Sequence, residues 1–244
     1  MTARTDQVLE RALTIARTAL RFGEVKRVTR HEDGATRESD TTHTVMLGLL
    51  AMEVASWLGL DSSAAAQFAI VHDLPETYAL DTDTSRALSP EAAAAKEQRE
   101  QAAMRRLSEE FGESKVIKAL CVYEAQRSSE ARLVRYLDKV LPKLTHYLNG
   151  GAALVSLGIT ADQMRLEHSR QGARLHEQYP ELPEVGRLFA AACRLVERGV
   201  ESGEVRVAPE SEAPSEPLGG GAGNSGRHDT AWWDQVKHEM GGES

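Results

Sequence analysis

The sequence predicts an all-α protein. Apolar residues recur at helical spacing through most of the 244 residues, recognisable caps bracket those runs, and no convincing stretch alternates with period two. Composition agrees: aromatics are only 5% while hydrophobic residues make up 41% and charged residues 27%, a globular balance rich in helix formers.

Residues 5–21 place Val8, Leu9, Ala12, Leu13, Ala16 and Leu20 on helical spacing, and Gly23 is a stop. Residues 24–42 are polar and read as a loop. A helix over 43–59 ends at Gly59, and Asp61 or Ser62 caps the next, which ends near Pro75. Residues 81–90 read as a loop, and Ser89-Pro90-Glu91 starts a charged helix running to about Gly112, with proline at its first position. Helices follow at 114–126 and 129–148, the second ended by Asn149-Gly150. Thr160 caps 161–178 and Pro183 opens 183–199, for about eight helices in all.

The helical body is expected over 1–202. A flexible linker is expected over 203–228, because fourteen of the eighteen residues at 209–226 are Pro, Gly, Ser or Glu and bury too little apolar surface to order themselves. Residues 229–244 carry Trp232, Trp233, Val236 and Met240 near helical spacing, a short amphipathic segment that either docks on its own body or binds a partner.

The net charge of -8 argues against non-specific binding of nucleic acid or anionic membrane. Cys121 and Cys193 lie in apolar helical contexts and suggest no disulfide framework, so a reducing cytoplasm is expected. The opening MTARTDQ has no apolar signal core, and no run approaches membrane-spanning length.

Against this background four polar residues stand out in apolar runs: His43, His72, Asp73 and Asp138. A buried polar or charged group needs a partner or a metal. Two imidazoles and two carboxylates suit one divalent ion, with Mn, Fe, Co, Ni or Zn fitting the mixed nitrogen and oxygen set better than Mg. Such an ion makes bound water a usable nucleophile near neutral pH and polarises a phosphoryl oxygen. Glu76, four residues after His72 and three after Asp73, would share their helical face and could act as general acid or base. Asp81 lies at a loop edge, within reach of a substrate hydroxyl. Lys26, Arg27, Arg30 and Arg37 form a basic cluster, read either as a solvated loop or as a phosphate contact, the second favouring arginine. The remaining histidines match no motif.

The order His43, His72-Asp73, Asp138 resembles the HD-domain metal-dependent phosphohydrolases, most closely their 5′-deoxynucleotidase branch. The stretch Glu38-Ser39-Asp40-Thr41-Thr42-His43 resembles that branch's first motif. His72, Asp73, Glu76 and Asp81 match the second position by position, and Tyr123 to Lys139 fits the last nearly throughout. The resemblance covers roughly residues 25–148 and implies an HD helical bundle with one metal on His43, His72, Asp73 and Asp138. It implies Glu76 handling the attacking water, Asp81 near the sugar, and one of Arg27, Arg30 and Arg37 gripping phosphate. The family's pocket Trp has no counterpart here.

The implied activity is phosphate release from a deoxynucleoside monophosphate by a homo-oligomer. The alternatives are triphosphate removal from a deoxynucleoside triphosphate and a non-enzymatic nucleotide-binding or interaction module.

Overall fold

The computed structural model describes residues 3–79 and 89–212. It is helical almost throughout, as expected. The first helix, α1 (Ala3–Glu24), turns Thr18 and Phe22 inward.

The segment read as a loop is instead a small hairpin. Strand β1 (Lys26–Arg30) pairs antiparallel with β2 (Arg37–Ser39), with an irregularity in the register between Lys26 and Arg30. Its strands lack apolar alternation because side chain to backbone bonds hold them. Arg37 donates to the carbonyls of Arg27 and Lys26 at 2.7 and 2.9 Å. In the turn, Asp33 accepts from the Ala35 and Thr36 amides at 2.9 and 2.8 Å.

The hairpin runs directly into α2 (Asp40–Leu58), which starts three residues earlier than the sequence suggests. Ser39 caps it by accepting from the Thr42 amide, and Gly59 ends it at φ 70°, a left-handed position that favours glycine. Asp61 caps α3 (Ser62–Val71). That helix stops before Pro75 is reached. Pro75 has no N–H to give the Val71 carbonyl four residues back, and its ring crowds that carbonyl, so the helical ladder cannot continue through it. The chain closes a turn with Leu74 N–H to Val71 O and Glu76 N–H to Asp73 O, at 3.1 and 2.8 Å. The short α4 (Glu76–Ala79) then begins. Glu76 therefore does not continue the helix that precedes His72, and its placement comes from this turn rather than from a shared helical face.

Local caps set the remaining boundaries. Ser89 and Pro90 open α5 (Pro90–Phe111), Ser114 opens α6 (Lys115–Glu124), and Ser128 opens α7 (Ser129–Leu148). A one-turn α8 (Ala152–Ser156) follows two glycines at positive φ. Thr160 and Gln163 form a reciprocal capping box at α9 (Ala161–Gln178), and Pro183 opens α10 (Pro183–Ser202).

Helix α7 is the central element, packing on α2, α3, α6 and α10. It buries Leu133, Val134, Tyr136, Leu137, Val140 and Leu141. Full burial of each aliphatic side chain is worth about 2 kcal/mol, so α7 is anchored without any contribution from Asp138 on the same helix.

Packing continues past the expected start of the linker. Val205 and Ala208 are buried, and Arg206 and Ala208 donate to the carbonyls of Gly150 and Ile159, each at 2.9 Å. The segment at 213–244, with Trp232 and Trp233, lies outside the described residues, as does Asp81. No described helix is long and apolar enough to cross a membrane.

Candidate metal centre

Three elements bring four side chains to one point. His43 comes from the first turn of α2, His72 and Asp73 from the turn after α3, and Asp138 from the middle of α7. One donor atom from each lies within 4.8 Å of all the others. His43 and His72 are 1% and 4% exposed, so their rings face an interior, while Asp73 is partly exposed.

The second ring nitrogen of each histidine decides which atom faces the centre. His43 Nδ1 lies 3.0 Å from Glu38 Oε1, and His72 Nδ1 lies 2.8 Å from the Ala69 carbonyl. A carbonyl only accepts, so His72 Nδ1 carries the proton there. A carboxylate at His43 Nδ1 favours the same tautomer. Both Nε2 atoms then offer a lone pair inward. His43 Nε2 is 2.9 Å from Asp138 Oδ1. His72 Nε2 is 2.9 Å from Asp73 Oδ2 and 3.8 Å from Asp138 Oδ1, yet it is buried without a satisfactory hydrogen bond. A cation between these donors would satisfy that nitrogen and both carboxylates together, so the donor set fits a divalent ion.

The electrostatics point the same way. Burial opposes ionisation of Asp73, but His72 and Arg27 overcome it and hold its carboxyl well below the usual range. Burial likewise opposes ionisation of Asp138, while Lys139 and His43 hold it ionised. Lys139 Nζ is 2.8 Å from Asp138 Oδ2. Burial disfavours a charged His72, but the adjoining Asp73 and Asp138 carboxylates raise its pKa to about 10.

The three candidate arginines are separated by the hairpin. Arg27 reaches the centre, its Nη1 lying 2.7 Å from Asp73 Oδ2 and 3.0 Å from Asp40 Oδ1. The same nitrogen is 3.8 Å from Glu76 Oε2, so Glu76 stands at the edge of the centre. Arg30 donates to the Ala35 carbonyl and Arg37 to strand carbonyls, so both brace the hairpin.

Two groups here had no assigned role in the sequence. Glu38 holds His43, and Asp40 holds Arg27. Both sit at the strand-to-helix junction, and a carboxylate five residues before a helical histidine is the signal that marks Glu38. The last motif is also accounted for in part. Tyr123 packs edge-on against the His72 ring at 6.2 Å, and Arg135 covers Tyr123 while pairing with Glu124 at 3.3 Å.

The HD-domain family model matches residues 20–182. No curated protein matches the chain in sequence. Among solved structures, a predicted metal-dependent phosphohydrolase from Magnetospirillum magnetotacticum MS-1 is similar, with a TM-score of 0.60 and 23% identity. The match covers 83% of this chain and 98% of that one, and at this identity it shows a common fold. The family match spans more than half of the chain and contains all four convergent residues, and the chain belongs to the HD-domain family.

Proposed function

We propose that this chain is a metal-dependent phosphohydrolase acting on nucleotides, with a deoxynucleoside 5′-monophosphate as its substrate class. The observation that carries the reading is the paired histidine geometry: each Nδ1 is engaged outside the centre, and each Nε2 faces the same point as Asp73 and Asp138. His43, His72, Asp73 and Asp138 would hold one divalent ion, with Co, Mn, Zn, Fe or Ni suiting the donors better than Mg. Bound there, the ion supplies Lewis acidity toward a phosphoryl oxygen and an activated water.

The chain's own residues do the rest. Glu76 stands beside the centre without being needed among its four donors, and it takes the proton of the attacking water. Arg27, whose guanidinium reaches Asp73 at the edge of the centre, neutralises phosphate as charge develops. Asp81, by resemblance, accepts from the sugar hydroxyl. The nucleotide preference itself rests on the resemblance of the three motifs to the 5′-deoxynucleotidase branch.

The test pairs metal content with turnover. A panel of ribo- and deoxynucleoside mono- and triphosphates is assayed with Mn, Co, Zn and Mg, resolving phosphate, pyrophosphate and triphosphate. His72→Ala should lose both metal and activity. Glu76→Ala should keep its metal while losing about 100-fold or more in kcat, the scale of a lost proton-transfer group. Triphosphate as sole product would move the substrate class to triphosphates. Metal-loaded wild type that turns over nothing in the panel would leave a binding module instead.

A further inference from the structure

A second set of donors adjoins the first. Asp40, Asp73 and Glu76 each offer an oxygen, and the three oxygens lie within 4.8 Å of one another. They come from the start of α2, the turn after α3 and the start of α4. Asp73 belongs to both sets. Its Oδ2 lies 2.9 Å from His72 Nε2 and 2.7 Å from Arg27 Nη1.

Three carboxylates converging on one point repel each other unless a cation stands among them. Here a cation does stand among them. Arg27 Nη1 is 3.0 Å from Asp40, 2.7 Å from Asp73 and 3.8 Å from Glu76. The guanidinium is delivered by a braced frame. Arg37 donates to the Arg27 carbonyl at 2.7 Å, and the Asp40 amide donates to the Val25 carbonyl at 3.2 Å. The Arg27 side chain is only 15% exposed, so the contact is screened little by solvent.

We propose that Arg27 occupies a second cation position in this centre and thereby limits the chain to one divalent ion. Asp73 is the carboxylate common to both donor sets. A single positive charge at this position balances the carboxylates while keeping Glu76 out of metal ligation. Glu76 thus stays available to carry a proton. Without the guanidinium, Asp40, Asp73 and Glu76 form an all-oxygen site suited to a hard divalent ion such as Mn. The inference rests on the reading that the four-residue centre binds one ion.

The experiment counts metal rather than turnover. Wild type, Arg27→Ala, Arg27→Gln and Arg27→Lys are equilibrated with excess Mn, desalted, and analysed for Mn per chain by elemental analysis and native mass spectrometry. Mn electron paramagnetic resonance is recorded on each, and circular dichroism checks folding. Wild type and Arg27→Lys should each hold one ion, with an isolated-ion spectrum. The neutral variants should hold two, a doubling, with an exchange-coupled spectrum from a shared Asp73. Adding Asp40→Ala to Arg27→Gln should return the count to one.

A count of one in a folded Arg27→Ala or Arg27→Gln overturns the inference and leaves the one-ion centre standing. Two ions in wild type overturns it whatever the variants do. No ion in wild type overturns the metal centre itself, and the inference with it.

Discussion

Glu38→Gln tests whether the tautomer of His43 is set from outside the centre. The two side chains are each 1% exposed and meet at 3.0 Å. Burial works against ionisation of Glu38, but the His43 contact lowers its pKa below the usual value, so a charged acceptor faces the ring. Glutamine keeps the volume and loses the charge. Its amide can also turn an N–H toward the ring, which favours the tautomer that withdraws the Nε2 lone pair. Loss of such a partner typically weakens metal binding 10- to 100-fold, or about 1.4 to 2.7 kcal/mol. The near-complete burial of this pair leaves no water to substitute for the carboxylate, so at least the tenfold end is expected. Metal affinity is read by competition with a chromophoric chelator, and thermal melts are run with and without metal. The metal-free variant should melt near wild type. At saturating metal, a tenfold weaker site should forfeit about 1.4 kcal/mol of ligand stabilisation. A Glu38→Gln protein that binds metal as tightly as wild type would refute the orienting role.

Two further predictions concern stability. Gly151 has φ +78°, and a Cβ there would fall 2.0 Å from the Arg206 carbonyl oxygen, whereas Gly59 at φ +70° has open space around it. Gly151→Ala should therefore lose about 3 kcal/mol or more by combining a clash with backbone strain, against about 1 kcal/mol for Gly59→Ala; equal losses in chemical denaturation would contradict the packing of 203–208 onto the body. Burial first, then Lys143, lowers the pKa of His168 to about 4, with Glu197 opposing. The unfolded chain protonates at about pH 6.5. The contribution of neutral His168 is therefore complete above that value, falls as the pH drops, and is exhausted near the folded value, a span worth about 3 kcal/mol. His168→Gln should flatten the stability profile in that window, and a variant that differs from wild type by the same amount at neutral pH and at about pH 5 would rule this out.

The difference between what the sequence showed and what it did not follows the range of the interactions. Ser89-Pro90, Thr160 with Gln163, and Gly59 act on their own helix ends, and each cap lies where local chemistry puts it. The four convergent residues were legible because each places a polar group in an apolar run and their order matches a family. The hairpin was not, since Arg37 and Asp33 encode it through bonds to backbone that hydropathy does not register. The end of α3 was missed because Pro75 acts on the residues before it, a turn earlier than its own position suggests.

The choice among Arg27, Arg30 and Arg37 depends on those two missed features together. It requires a strand pairing and a turn, neither visible as a pattern in the chain. The expectation of a single ion came from the donor set of His43, His72, Asp73 and Asp138 alone. In three dimensions additional donors are present, since Asp40 arrives from α2 and Glu76 from α4. The number of ions this centre accepts therefore turns on the cation already among its carboxylates, and that cation is placed by the register of β1 against β2.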